Sequence, residues 1–269
     1  MSHTEGAERT ALEGLARVGY ATKGIVYGAV GLLAVLAVVG AGGAIGGSER
    51  AIQTIGEQPF GLVLLVVLSI GLFAYAGWRG IQATLDPEHL GRDRKAIAKR
   101  IGYGFSALTH ALLGVTAAQL VLGSSSGGGG GTKTWVAEVM AIEVVGPIVV
   151  GIAGAIAIGF GLQQLHKGLT VKFTKKLKSH EMSRRARKLA VKVGKAGLTA
   201  RAVVFCILGG TLVHAAIAND PSDVKPLGEA LAAIGRQPLG SVLLAATALG
   251  LMAYAAHQLV FARYRRIPS

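Results

Sequence analysis

The chain alternates between long stretches without any Asp, Glu, Lys or Arg and short segments that hold nearly all of its charge. Six charge-free stretches stand out, at 24–48, 58–78, 101–132, 144–166, 202–219 and 237–262, with 25, 21, 32, 23, 18 and 26 residues. About 20 apolar residues at 1.5 Å per residue cross the ~30 Å hydrocarbon core of a bilayer. A transmembrane helix satisfies its own backbone hydrogen bonds, so six such runs predict six spans. Soluble amphipathic helices would instead carry a charged stripe, and these runs carry none. The leader MSHTEGAERTALEGLAR is mixed in charge and lacks a basic n-region, so no cleaved signal peptide is expected.

The same pattern repeats three times. RVGYATKGIVYGAVG (17–31), RIGYGFSALTHALLG (100–114) and KAGLTARAVVFCILG (195–209) align without gaps. Gly19, Gly102 and Gly197 then coincide, as do Gly31, Gly114 and Gly209. A gapless match of the second helices superposes Pro59, Pro147 and Pro238, and with them Gly71, Gly159 and Gly250. The expected fold is therefore all-α: six transmembrane helices as three parallel two-helix repeats with pseudo-threefold symmetry about the membrane normal. Its parts are an N-terminal segment (1–16), repeat 1 (17–85), a linker (86–99), repeat 2 (100–170), a basic loop (171–194) and repeat 3 (195–265). The prolines suit the start of each return helix, where a missing N–H costs nothing. Before them, SERAIQTIGEQP and PLGEALAAIGRQP place Ile52/Ile55 and Leu231/Ile234 at i, i+3 spacing, predicting short amphipathic helices at the outer interface. The middle repeat carries SSSGGGGGT at that position, read as a low-complexity loop.

On these residues the chain resembles bacterial membrane proteins built from three copies of domain of unknown function 1206. The likeness is carried by GYATKGIVY (19–27), QPFG (58–61) and GLFAY (71–75), and by TARAVVF (199–205), QPLG (237–240) and GLMAY (250–254). It spans roughly 17–265 and implies six helices in three pairs, with no activity attached. The middle copy departs from it, with Gln163–Gln164 set against Tyr75–Ala76 and Tyr254–Ala255.

Charge fixes the expected orientation. Segment 167–195 holds eleven Lys/Arg against Glu181 alone, and 24 of the chain's 28 basic residues, with Lys23, Arg79 and Arg201 counted at adjoining helix ends, fall on one side of the six spans. The positive-inside rule places that side, with both termini, in the cytoplasm of a bacterial plasma membrane. The net charge of +14 is then topological and implies no nucleic acid partner. Lys172, Lys175, Lys176, Lys178, Arg184, Arg185, Arg187 and Lys188 could engage anionic lipid headgroups on that face, or serve only as topology determinants.

Polar side chains inside the spans are the candidate functional groups, because burying them unpaired costs several kcal/mol. Three sets occupy equivalent repeat positions: Tyr27, His110 and Phe205; Tyr75, Gln163 and Tyr254; and Trp78, His166 and His257. His110, Gln163, Gln164, Tyr27, Tyr75 and Tyr254 are the candidate pathway residues, with His110 near mid-depth. Each also has a structural reading, in which it hydrogen-bonds between helices. Trp78, His166 and His257 are expected to form a cytoplasmic interface ring. Gly24, Gly28, Gly31, Gly71, Gly114, Gly159, Gly209 and Gly250 suit close helix packing, within the chain or in a homo-oligomer. One cysteine, Cys206, and histidines scattered over four helices predict no metal or cofactor. The chain lacks a nucleophile elbow, a P-loop and a dinucleotide fingerprint, so no enzyme is expected.

Two functional readings remain. Recurrence of polar residues at matched depth favours translocation of a small solute or ion, along the axis or through the divergent middle repeat. Scarcity of intramembrane charge favours a non-catalytic envelope protein that organises lipid or a partner membrane protein. The first is preferred.

Overall fold

The computed structural model describes residues 3–41, 43, 45–123 and 130–266. Each repeat is a long helix, a short helix and a long return helix. Repeat 1 is α1 (His3–Val38), α2 (Ser48–Gly56) and α3 (Gly61–Thr84); repeat 2 is α4 (Arg94–Val121), α5 (Gly130–Met140) and α6 (Val145–Leu169). Repeat 3 is α7 (Arg184–Ala218), α8 (Leu227–Gly235) and α9 (Gly240–Tyr264). The six long helices are long and apolar enough to cross a membrane. Large apolar side chains point outward from them, with Ile70 62% and Ile152 56% exposed. This is the surface of a protein whose outer solvent is hydrocarbon.

Three features differ from the sequence expectation. The basic segment 171–194 is not all loop: α7 begins at Arg184, capped by Ser183, whose hydroxyl accepts from Ala186 N at 3.2 Å. A helix-forming run, RRARKLAVKV, continues the span below the apolar stretch. The short helices α2 and α8 pack onto the bundle, with Ile52 and Leu231 fully buried. The middle repeat has a short helix of its own, α5; residues 124–129 of the Gly-rich insertion lie outside the described residues.

Every first helix packs against the return helix of another repeat: α1 on α9, α4 on α3 and α7 on α6. The three contacts use matched residues. A Cβ on Gly31 would lie 2.9 Å from Ala248 O, one on Gly114 3.2 Å from Phe73 Cε1, and one on Gly209 2.6 Å from Gly154 O. Gly24 and Gly28 extend the α1 contact onto Ala255.

This packing corrects the proline alignment of the middle return helix. Gly61 and Gly240 open α3 and α9 against the carbonyls of Gly56 and Gly235; in α6 that place belongs to Gly146, against Val139 O. The register of α6 is therefore shifted by three residues, and Phe160, not Gln163, occupies the position of Tyr75 and Tyr254. A Cβ on Gly159 would consequently meet no neighbouring helix within 4 Å, because α6 turns Gly154 and Gly161 to α7 instead. Pro59 and Pro238 precede their helices, whereas Pro147 lies inside the first turn of α6.

Within repeats the packing is uneven. In repeat 1 a Cβ on Gly19 would sit 2.6 Å from Tyr75 Cα, and Gly71 faces Thr22; in repeat 3 the same pairs are Gly197 with Tyr254 and Gly250 with Ala200. Their counterparts in repeat 2 are Gly102 with Phe160 and Phe105 with Ile156. Gly102 meets nothing within 4 Å, and Phe105 and Ile156 are 53% and 50% exposed. Two small residues let the closed pairs cross at backbone distance, whereas two bulky ones stand at this crossing. Helices α4 and α6 form no packed interface, and the ring of helices is open there.

Candidate functional site

The first helices α1, α4 and α7 surround a cavity of about 730 Å³, walled on the open flank by α6. The long helices present the same two repeat positions to it. One layer is Lys23, Ser106 and Arg201; the other, four residues further along the same helix faces, is Tyr27, His110 and Phe205. The return-helix aromatics pack on the second layer, Tyr75 and Tyr254 from behind and Phe160 from the cavity wall. Tyr75–His110, Phe160–Phe205 and Tyr254–Tyr27 are ring pairs with centroids 4.5, 4.9 and 4.9 Å apart. Above these layers the walls are mostly apolar, with Leu112, Leu113, Leu208 and Leu212 beside the hydroxyls of Thr109 and Thr116. The cavity extends to α2 and α8, where Glu49, Arg50, Lys225 and Glu229 line it.

The cationic layer is the feature that sequence reasoning placed wrongly. Lys23 and Arg201, expected at helix ends, are 2% and 6% exposed. Lys23 Nζ donates to Tyr75 Oη at 2.9 Å and stands 4.5 Å from that ring's centroid. Arg79 Nε and Nη2 donate to the same oxygen at 2.8 and 2.7 Å, and Nη1 donates to Gln82 Oε1 at 2.9 Å. Two cations thus share one phenolic oxygen. Arg201 is caged by four rings, with Cζ 4.8 Å from the centroids of Phe205 and Tyr254, 5.2 Å from Phe160 and 5.5 Å from Tyr27. Its Nε is buried without a hydrogen-bond partner. Among the described residues no carboxylate pairs with Lys23, Arg79 or Arg201. Ring faces return about 0.5–2 kcal/mol per contact, against a burial cost of several kcal/mol per ion. The layer is electrostatically incomplete.

His110 is buried, and its Nδ1 donates to Ser106 O, four residues back on its own helix, at 2.8 Å. A carbonyl only accepts, so Nδ1 carries the proton and Nε2 is the ring's remaining polar atom. Gln164 is buried, whereas Gln163 is exposed and accepts from Lys167 Nζ at 2.7 Å, outside the cavity. Of the candidate pathway residues, Tyr27 and His110 line the cavity, Tyr75 and Tyr254 support it from behind, and the two glutamines are not among its lining.

The expected interface ring is mostly interior. Trp78 and His257 are 0% and 1% exposed, because their helix faces turn into the bundle; only His166 is exposed, accepting from Lys172 Nζ at 3.0 Å. Trp78 and His257 belong to an aromatic floor on the basic side of the cavity. Tyr20 meets Tyr75 and Phe261 edge-on at 5.5 and 5.8 Å, and Phe173, from the turn after α6, meets His257 at 4.9 Å.

A polar clasp holds that floor. Glu88, in the linker between α3 and α4, accepts from Arg265 Nη2 at 2.6 Å, Lys176 Nζ at 2.7 Å, Tyr103 Oη at 3.0 Å and Gln82 Nε2 at 3.1 Å. Arg265 also donates to Tyr20 Oη. Burial pulls its guanidinium down to about 10, still protonated at neutral pH. Leu177 and Arg265 form an antiparallel bridge that joins the loop to the C-terminal segment. Lys176 and Lys178, candidates for lipid contact, are thus engaged with Glu88 and Glu181. Lys172, Lys175, Arg184, Arg185, Arg187 and Lys188 are exposed.

Taken together, the architecture defines an all-helical, multi-pass membrane protein of three repeated helix pairs. The family described as Domain of Unknown Function (DUF1206) matches it three times, at residues 18–86, 101–171 and 196–265, and the chain belongs to that family. It is similar to the uncharacterized protein YxxB of Bacillus subtilis (strain 168), 34% identical over 251 residues, covering 93% of this chain and 90% of that one. No solved structure matches.

Proposed function

We propose that the protein translocates a small solute across the bacterial plasma membrane, with the central cavity as its binding chamber and the basic face in the cytoplasm. The observation that carries this reading is the cavity itself. Three repeat-equivalent ring pairs, Tyr75–His110, Phe160–Phe205 and Tyr254–Tyr27, border it, which supports the reading of a pseudo-threefold bundle with the cavity at its centre. It reaches the short-helix side and is closed by aromatic packing on the basic side, as one stage of an alternating-access cycle would be. Solute would enter between the α2 and α8 segments and leave once the Tyr20–Phe173–His257 floor parts. This reading is that of a non-enzyme.

The experiment is flux into proteoliposomes, wild type against Thr109→Trp, which places an indole in the cavity wall. Flux of any monovalent ion, proton, small neutral solute or small anion that Thr109→Trp blocks, in a protein that remains folded, supports translocation. Absence of flux in the wild type across all four classes refutes it.

The open flank between α4 and α6 favours a second reading. Phe105, Leu108, Leu112, Ile152 and Ile156 are exposed there, a surface on which a lipid or a partner membrane protein could seat while the basic face binds anionic headgroups. This is the envelope-organising role, and a silent flux assay would leave it standing.

A further inference from the structure

We infer that the chamber's ligand is an organic anion, with a carboxylate or phosphate head at Lys23 and Arg201 and an apolar body along α4 and α7. This deepens the translocation reading, since it names the chemical class that the same chamber would carry.

The charge layer is built from repeat-equivalent positions. Repeats 1 and 3 place Lys23 and Arg201 on the cavity wall, and repeat 2 places the hydroxyl of Ser106 there. Two cations and a hydroxyl donor therefore converge from three helices on one depth, the donor set that an anionic head requires. Both cations are nearly fully buried, and no described carboxylate neutralises them. Arg201 has ring faces around it and an unpartnered Nε. Ring faces stabilise a cation but do not cancel its field, so the layer keeps a positive potential in a low-dielectric wall. A neutral solute would leave that potential uncompensated, and a cation would be repelled by it. The rest of the wall decides the body. Leu112, Leu113, Leu208 and Leu212 make it largely apolar between the cationic layer and the short-helix mouth, where Glu49, Arg50, Lys225 and Glu229 line it in mixed charge, so an inorganic ion alone would leave most of the 730 Å³ unfilled. Chambers of this size are typical of sites for small organic ligands.

The head could belong to a soluble metabolite or to a lipid, and the test separates them. Purified protein in zwitterionic nanodiscs would be titrated with benzoate and phenyl phosphate, and in parallel with benzyl alcohol and benzyltrimethylammonium. Binding of the two anions and not of the neutral or cationic analogue is expected. Equal binding of benzyl alcohol and benzoate would overturn the inference. This comparison uses the wild type and needs no variant to fold. In Arg201→Gln the anions should bind about 10- to 100-fold more weakly, and Arg201→Lys should recover part of the loss; wild-type affinity in a folded Arg201→Gln protein would overturn the site. Repeating the benzoate titration in nanodiscs containing phosphatidate identifies the source. Competition marks a lipid headgroup as occupant of the same anion site, and unchanged affinity marks a soluble anion. Anion binding without flux would refute translocation and keep the site. Flux of a neutral or cationic solute that is indifferent to Arg201→Gln would refute the anion class and keep translocation.

Discussion

Three glycines at one repeat position give a direct test of the packing. A Cβ on Gly19 would lie 2.6 Å from Tyr75 Cα and 2.9 Å from its N, and one on Gly197 would lie 2.5 Å from Tyr254 N. Ordinary carbon contacts are about 3.5–4.0 Å, so each alanine forces two helices about 1 Å apart at a point where backbone, not a flexible side chain, is the obstacle. Overpacking of this kind costs about 1–3 kcal/mol. For Gly19→Ala the upper end applies, because the separation also stretches the Lys23–Tyr75 hydrogen bond of 2.9 Å. Gly102 occupies the same position in repeat 2 and meets nothing within 4 Å. Gly102→Ala should therefore be neutral or gain up to about 1 kcal/mol from helix propensity. Unfolding in mixed micelles at rising SDS fraction, followed by circular dichroism, would rank the three. Gly19→Ala and Gly197→Ala should unfold well before the wild type, and Gly102→Ala with it or later. A Gly102→Ala protein as unstable as the other two would mean that the middle repeat is closed, and the account of the cavity would fall with it.

Glu88→Gln strips the charge from the clasp and leaves Arg265, 3% exposed, without a counter-ion; breaking a buried pair costs about 3–5 kcal/mol, and the 171–181 segment should become protease-sensitive, which an unchanged digestion pattern would contradict. Asp86 accepts from Leu90 N and Gly91 N at 2.9 and 3.0 Å, and these bonds hold its carboxyl below its ordinary 3.8. Its contribution is therefore present above that ordinary value and lost as pH falls through the lower folded value, so the protection of the 90–91 amides, taken as exchange relative to the intrinsic rate at each pH, should fall only in strong acid and stay level between pH 5 and 8. Gly102→Cys with Phe160→Cys, in a Cys206→Ala background, should form no disulfide, and should form one when Phe105→Ala and Ile156→Gly are added; crosslinking without the added pair would refute bulk as the cause of the opening.

The spans and repeats could be read directly from the sequence because membrane helices announce themselves by composition, and because one unit written three times can be compared with itself. Register was harder. Pro147 drew the middle return helix three residues out of line, since a proline at a helix start is tolerated at several neighbouring positions. Gly146 and Phe160 carried the true register, one by close approach to a carbonyl and the other by its ring pair with Phe205. Lys23 and Arg201 were legible too. They stand four residues before Tyr27 and Phe205, hence on the same helix face, and Ser106 stands likewise before His110. Counting charges per loop assigned them to helix ends, whereas the repeat alignment already set them on an inner face. The short helix α5 was masked by the glycine run on which it begins, because glycine lowers helix propensity and TKTWVAEVM beyond it is too short to show a clear period.

Divergence of the middle repeat links these observations into one mechanism of construction. Repeats 1 and 3 close because Thr22 faces Gly71 and Ala200 faces Gly250, and closure pins Tyr75 and Tyr254 against Gly19 and Gly197. Had repeat 2 kept two small residues at that crossing, Phe160 would sit on Gly102, and α6 would cover the chamber wall as α3 and α9 cover theirs. Phe105 and Ile156 hold it apart, so the space that would be packing becomes cavity. The same repeat replaces the cation of its neighbours by Ser106 and the tyrosine or phenylalanine by His110. One drifted copy thus supplies both the room and the only uncharged member of the cationic layer. A bundle of three identical repeats would bring three cations together on its axis with no cavity to hold their counter-ion, which is the least stable arrangement of the two. Asymmetry in the sequence is therefore a condition for the cavity, and the residues that carry it are Phe105, Ser106, His110 and Ile156.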